Sequence, residues 1–187
     1  MRRLALAVAL MVLAAGSLAA QQRRGFFLSL GMGGGSAGLE CPQCGTDFSA
    51  DRVRGVSGYL RVGGAVSPSL QVGIEGSGWL RNSDAEERRL AAVSLVFVGY
   101  PGGGPFFLRA GVGGIRAAYQ DIGGTATGEG LVGSAGIGID IPVGAAALTP
   151  YATFLYSTGV AARVNGTPAG LDLNPNLLQV GLAVTIP

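Results

Sequence analysis

Cys41-Pro-Gln-Cys44 is the sharpest chemical motif in this 187-residue chain. Two thiols at that spacing can form a redox pair, half of a zinc knuckle or a structural disulfide. A thioredoxin-type pair needs a strand-helix-strand setting, and no helical apolar period surrounds this one. A four-ligand zinc site needs a second pair of ligands, yet the chain has two Cys in all and no His. The weight falls on a disulfide pinching a loop in an oxidising compartment, where so small a ring stiffens a loop tip more than it stabilises a domain. Without His, Ser-His-Asp and Cys-His catalysis are closed. An enzyme is the least favoured class, and no catalytic residue, metal site or cofactor is expected.

A second group consists of Arg61, Glu75 and Arg109, with Gln71, Asp140 and Gln179. Each falls on the small or polar face of a segment whose alternate residues are apolar. Facing lipid, an Arg near the midplane of a membrane would cost about 2–4 kcal/mol. Facing inward, opposite charges can pair and fill a lumen. The competing reading is a narrow, gated ion path lined by the same charges. Two glycine clusters, Gly31-Met-Gly-Gly-Gly35 and Gly111-Val-Gly-Gly114, superficially suggest phosphate-binding loops. Such loops precede a helix, and no helical period follows either cluster. Glycine there fits strands that curve and approach closely.

The elements that must position these groups are extended. Alternation and turn signals mark eight segments, near 25–33, 53–65, 69–81, 89–100, 105–117, 128–142, 149–159 and 176–186. The second sets Val56, Gly58, Leu60 and Val62 against Ser57, Tyr59, Arg61 and Gly63. The fifth sets Phe106, Leu108, Ala110 and Val112 against Phe107, Arg109, Gly111 and Gly113. The first, fourth and seventh alternate less cleanly. Short, Pro-marked links at Pro68, Pro101 to Pro105 and Pro142 to Pro150 alternate with longer or more charged links at 34–52, 82–88, 118–127 and 160–175. That order suits an up-and-down barrel with both termini at one end. Aromatic residues near the strand ends suggest two interfacial girdles, Phe26, Phe27, Tyr100, Phe106, Phe107 and Tyr151 at one end, and Trp79, Tyr119 and Tyr156 at the other. Asn165-Gly-Thr167 matches a glycosylation sequon, which counts only in a compartment that glycosylates. The charged run Arg81 to Arg89 reads as a solvated outer loop able to meet cations or lipopolysaccharide.

The last segment is the most informative. Leu178, Val180, Leu182, Val184 and Ile186 share one face, and Gln179, Gly181, Ala183 and Thr185 share the other. Gln179, Gly181, Val184 and Ile186 match, in register, the C-terminal sorting signal of bacterial outer-membrane barrels, although the chain ends on Ile186-Pro187 where that signal usually ends on an aromatic residue. With the eight segments, the mature chain resembles the OmpA-like eight-stranded outer-membrane β-barrel superfamily. The resemblance implies an all-β, antiparallel, up-and-down transmembrane barrel with four external loops.

Residues 1–20 read as a cleaved signal peptide: Arg2 and Arg3, then an apolar run from Leu4 to Ala15, then small residues ending at Ala19 or Ala20. The run is too short to span a bilayer as a helix. Residues 21–187 then form one domain. All thirteen basic residues are Arg, and without Arg2 and Arg3 eleven remain against eleven acids, so nucleic acid is not an expected partner. The expectation is a monomeric outer-membrane protein with a structural or surface-interaction role carried by its external loops. Its partners are membrane lipid, lipopolysaccharide and the outer-membrane assembly machinery. The rivals are a small porin-like channel and a soluble, lipocalin-like carrier with its apolar face turned inward. Replacing Ile186 with Asp should block membrane insertion; normal insertion of I186D, assayed by envelope fractionation, would remove the sorting-signal argument.

Overall fold

Strands that alternate apolar and small residues close here into a ring. A computed structural model describes residues 25–40, 52–83, 86–121 and 124–186. The expected signal peptide and the Cys41–Cys44 pair lie outside the described residues. The strands are β1 (Phe26–Glu40), β2 (Val53–Ser67), β3 (Leu70–Asn82), β4 (Glu86–Gly99), β5 (Phe106–Asp121), β6 (Gly124–Ile139), β7 (Ile141–Val143), β8 (Ala146–Val164) and β9 (Thr167–Ile186). β6 and β7 are one stave interrupted at Asp140, since both pair with β8. Every neighbouring pair is antiparallel, β6 joins β8, and β9 returns to β1 from Leu28↔Ile186 to Glu40↔Asn174. The result is a closed, eight-stave, up-and-down barrel.

The wall is inside out relative to a soluble protein. Leu28, Leu30, Met32, Leu60, Val62, Leu95, Val112, Leu182 and Val184 are exposed, while Arg61, Glu75 and Arg109 are buried. Outward residues stay uncharged from Leu178 to Ile186, from Phe106 to Gly114 and from Leu131 to Ile139. These spans match the ~9–11 tilted residues that cross a bilayer. The first outward charges, Arg54, Arg89, Arg116 and Glu129, stand beyond the band at the end away from the termini.

Eight strands fall where the alternation places them, but they run further than it indicates. The Gly-rich stretch after Gly33 is still strand to Glu40, and the outer links expected at 82–88, 118–127 and 160–175 are largely paired backbone. Beyond the band the strands need no apolar face, so their pairing leaves no alternation to read. The last outer link is a hairpin turn at Asn165-Gly166, with φ of 49° and 82°. Two positive φ values are what a two-residue type I′ turn requires, and Asn-Gly is its favoured sequence. Asn165 is thus a turn residue, and its side-chain Oδ1 accepts a hydrogen bond from the Thr125 amide at 3.0 Å, tying the β8–β9 hairpin to β6.

The aromatic residues do not form the two expected girdles. Phe27, Tyr59, Trp79, Tyr100, Phe107 and Tyr151 are all buried. Among the residues assigned to the girdles, Phe26 and Phe106 face outward as exposed side chains. Most of the aromatic mass fills the lumen because eight staves enclose room for side chains and little else.

Closure has a steric requirement at the seam. Gly33 of β1 and Gly181 of β9 face one another in register. A Cβ on Gly181 would lie 2.2 Å from the Met32 carbonyl oxygen, and one on Gly33 would lie 2.1 Å from that of Val180. Gly34, next in sequence, has nothing within 4 Å of its Cβ position. Gly33→Val and Gly181→Val should therefore each lower the yield of folded barrel sharply, whereas Gly34→Val should fold normally. Yield is read from the heat-dependent gel shift, and equal behaviour of all three variants would count against a steric seam.

Candidate functional site

The lumen is built in layers. Nearest the termini, Tyr100 Oη donates to Asp140 Oδ2 at 2.9 Å and lies 3.2 Å from Gln71 Oε1, and Thr149 Oγ1 donates to Asp140 Oδ1 at 2.7 Å. One layer further in, Glu75 sits between two guanidinium groups. Arg61 Nε donates to Glu75 Oε2 at 2.8 Å, and Arg109 reaches across from β5 to pair with Glu75 Oε1. These three side chains are almost fully buried. The Arg61 guanidinium also stands 4.9 Å from the centre of the Tyr59 ring, which meets Tyr151 edge to face at 4.9 Å. Ser29 lies 3.2 Å from the Tyr59 hydroxyl and accepts a hydrogen bond from Thr185 at 2.9 Å, linking this layer to the closing strand.

Above the charges the lumen changes character. Trp79, Leu90, Ile115, Val132, Leu155, Val160 and Leu177 form one buried apolar cluster across it. The Trp79 indole N–H donates to the Gly35 carbonyl at 3.1 Å, so the ring enters this layer with its polar atom satisfied. Gln179 stands within it, its Nε2 3.4 Å from the Gly78 carbonyl. A break in register on β8 between Tyr156 and Val160, with Gly159 at φ 63°, turns Val160 inward. A bulge of this kind re-aims a side chain at the rim of a barrel.

At the outer mouth Glu86, Arg88 and Tyr119 form a rim. Arg88 Nη2 donates to Glu86 Oε2 at 3.0 Å, the Tyr119 hydroxyl donates to the same oxygen at 3.2 Å, and the Arg88 guanidinium stands 5.1 Å from the Tyr119 ring centre. The Arg88 hydrogen bond is the main cause that holds the Glu86 carboxyl below its ordinary value of 4.5. This attraction is fully present above the ordinary value and is lost as pH falls through the lowered one. Outside the rim, Arg54, Arg89, Arg116 and Arg163 are exposed, and Arg81, opposite Arg88 on β3, is exposed beside it. Every described Arg other than Arg61 and Arg109 lies at this end.

Of the six lumen residues named from the sequence, Arg61, Glu75 and Arg109 meet, Gln71 and Asp140 meet through Tyr100, and Gln179 stands apart. Of the C-terminal set, Gly181 is the seam glycine, Val184 and Ile186 face outward, and Gln179 faces inward. Sequence reading missed the apolar layer and the rim. The blurred alternation of β4 was the trace of the first: Leu90, Ala92, Val96 and Val98 face in, while Val93, Leu95 and Phe97 face out. Arg88 and Tyr119 lie beyond the alternating spans, where nothing marked them as inward. Among the described residues, no group of three His, Cys, Asp or Glu side chains is arranged to hold a metal ion.

Solved structures share this architecture. Neisserial surface protein A (NspA) aligns with a TM-score of 0.60 at 12% identity, over 86% of this chain and 96% of its own. Ail, the attachment invasion locus protein of Yersinia pestis, solved with the heparin analogue sucrose octasulfate, aligns at 0.55 and 14% over 85% and 99%. The outer membrane protein OprG from Pseudomonas aeruginosa aligns at 0.52 and 11% over 89% and 98%. No family model and no curated protein sequence matches the chain. The fold is that of the eight-stranded outer-membrane β-barrels.

The central ion group generates an asymmetric prediction. Glu75→Gln leaves two buried guanidinium groups without their carboxylate, a loss of the order of 3–5 kcal/mol. Arg61→Gln leaves Glu75 still paired with Arg109 and should cost less. Urea unfolding followed by Trp79 fluorescence would compare them, and equal losses would show that the three groups do not act as one network.

Proposed function

We propose that this chain, which has the fold of the eight-stranded outer-membrane barrels, is a monomeric outer-membrane protein that presents a binding surface to the exterior. The observation that carries the reading is the uncharged outward band over a lumen closed by side chains. Such a wall is stable where its outer face meets hydrocarbon, since an outward charge at mid-depth would cost about 2–4 kcal/mol. The apolar layer around Trp79 and the ion group around Glu75 fill the axis, which favours a binding role over the porin-like channel. The outward apolar face disfavours a soluble, lipocalin-like carrier, whose apolar residues would line a cavity.

Its interaction surface is the outer end. At the outer links expected at 82–88, 118–127 and 160–175 the described residues are mostly paired hairpin arms, and the last closes on the Asn165-Gly166 turn. The exposed Arg54, Arg89, Arg116 and Arg163 stand on the outer wall just beyond the apolar band, Arg89 beside Glu87 and Arg116 beside Glu129. That height and that fork of donors fit the phosphates of lipopolysaccharide. The binding of a sulfated heparin analogue by Ail is compatible with an anion-meeting surface at the outer end of such a barrel. The assembly machinery of the outer membrane is the proposed partner of β9 during insertion.

Envelope fractionation with gels of boiled and unboiled samples tests the reading. Recovery in the outer membrane with a heat-dependent mobility shift is expected, as is the absence of discrete conductance in planar bilayers. Soluble recovery without a shift would overturn it, and conductance altered by Glu75→Gln would establish the channel instead.

A further inference from the structure

The lumen opens outward as a blind pocket of about 300 Å³, lined among others by Leu39, Val53, Trp79, Leu90, Val160 and Leu173. That is the lower end of the range of small-molecule sites. Its floor is the buried layer that contains Trp79, Leu90 and Val160, which lies between it and the charged lumen below. Several features fit a ligand better than a structural gap. The Trp79 N–H is already bonded to Gly35, so the indole offers the pocket an apolar ring with no unmet donor. The β8 bulge places Val160 in the wall, whereas uninterrupted alternation would point it outward. Ala117, Ala126 and Gly128 keep the opposite wall small, leaving the space unfilled.

The electrostatics select the ligand. Arg88 is the charged side chain that faces the pocket from the inner side of β4, and it is compensated there by Glu86 and by the Tyr119 ring. Arg89 borders the pocket on the outward side of its strand and is paired with Glu87. Among the described residues, both arginines that line the pocket are therefore paired with a carboxylate, Arg88 keeping one buried donor, Nε, without a partner, while the apolar lining gains by being removed from water.

We propose that the outer mouth of the barrel is a binding site for a small, uncharged, apolar molecule that is fused-ring in size, with Trp79 as its floor. The site lies within the reading of an outer-membrane barrel and adds a ligand class to it.

Trp79 is the chain's sole tryptophan, so the floor reports on its own occupancy. The full mature chain in phospholipid vesicles is titrated with 1-nitronaphthalene, a neutral quencher, and with its 4-carboxylate, an anionic one. Expected is saturable quenching of Trp79 by the neutral probe, weakened at least tenfold in Ala117→Phe and in Ala126→Phe, which fill the pocket. Ala110→Phe, which adds the same ring to the lipid face, should bind as the parent does. The anion should bind at least tenfold more weakly. Linear quenching that is equal in all variants would mean that the probe reaches Trp79 only through the bilayer, and would overturn the site. Equal or tighter binding of the anion would overturn the assignment to uncharged ligands. The heat-dependent gel shift of each variant reports folding separately, so failure of the pocket and failure of the barrel are distinguished. Two filling variants keep the test decisive if one does not fold.

Discussion

A strand in hydrocarbon cannot leave its edge unpaired, because no water is present to satisfy the exposed amides and carbonyls. The rest of this structure follows from meeting that condition with eight strands. The ring must close, so β9 must lie against β1, and their inner faces approach so closely that Gly33 and Gly181 meet where any Cβ would strike backbone. Eight staves enclose a narrow lumen. Its contents must then pack as a core packs, with the buried charges paired around Glu75. The outward face is left with the opposite task of presenting apolar side chains to lipid, and it does so without a charge across the band.

The lumen divides its polarity by depth. Charges gather around Glu75, where two guanidinium groups, two tyrosines and the hydroxyls of Ser29 and Thr185 surround them. Further out, a layer built mainly of apolar side chains, with Gln179 and Asn176 among its buried neighbours, holds the chain's single Trp. A lumen polar throughout would admit water along its axis, and one apolar throughout would have no use for the inward Arg61 and Arg109. Placing an apolar layer between the ion group and the exterior shields the ion pairs, whose attraction is stronger where water is excluded. It also separates the chemistry of the mouth from that of the lumen.

The sequence was most legible where one physical demand acted on every second residue. Within the bilayer band, Leu60, Val62, Ile137 and Val184 must be apolar, and their neighbours must be small or paired, so strand identity and facing could be read directly. Legibility failed where that demand stopped. Above the band, β5, β6, β8 and β9 continue because each finds a paired neighbour, and backbone pairing writes no pattern into side chains. Asn165-Gly166 carried a readable turn signal, but the segment around it lacked the alternation that would have framed it as a hairpin. Aromatic residues misled because the lumen and the interface both select large rings, and position along a strand does not separate them. β4 failed in the opposite way: both of its faces are apolar, so the inner layer was hidden by the outer one.

The mouth is the part of the barrel free to specialise. Inside the band, a substitution on either face meets lipid, backbone or a buried partner. At the rim, Glu86, Arg88 and Tyr119 compensate one another, and the small walls of Ala117, Ala126 and Gly128 are not required by closure. The bulge on β8 turns Val160 inward just above the band, where the ladder can be broken without exposing backbone to hydrocarbon. A break at that height changes the shape of the opening and leaves the membrane-spanning register intact. Residues that stabilise the barrel and residues that shape its mouth therefore occupy different heights on the same strands.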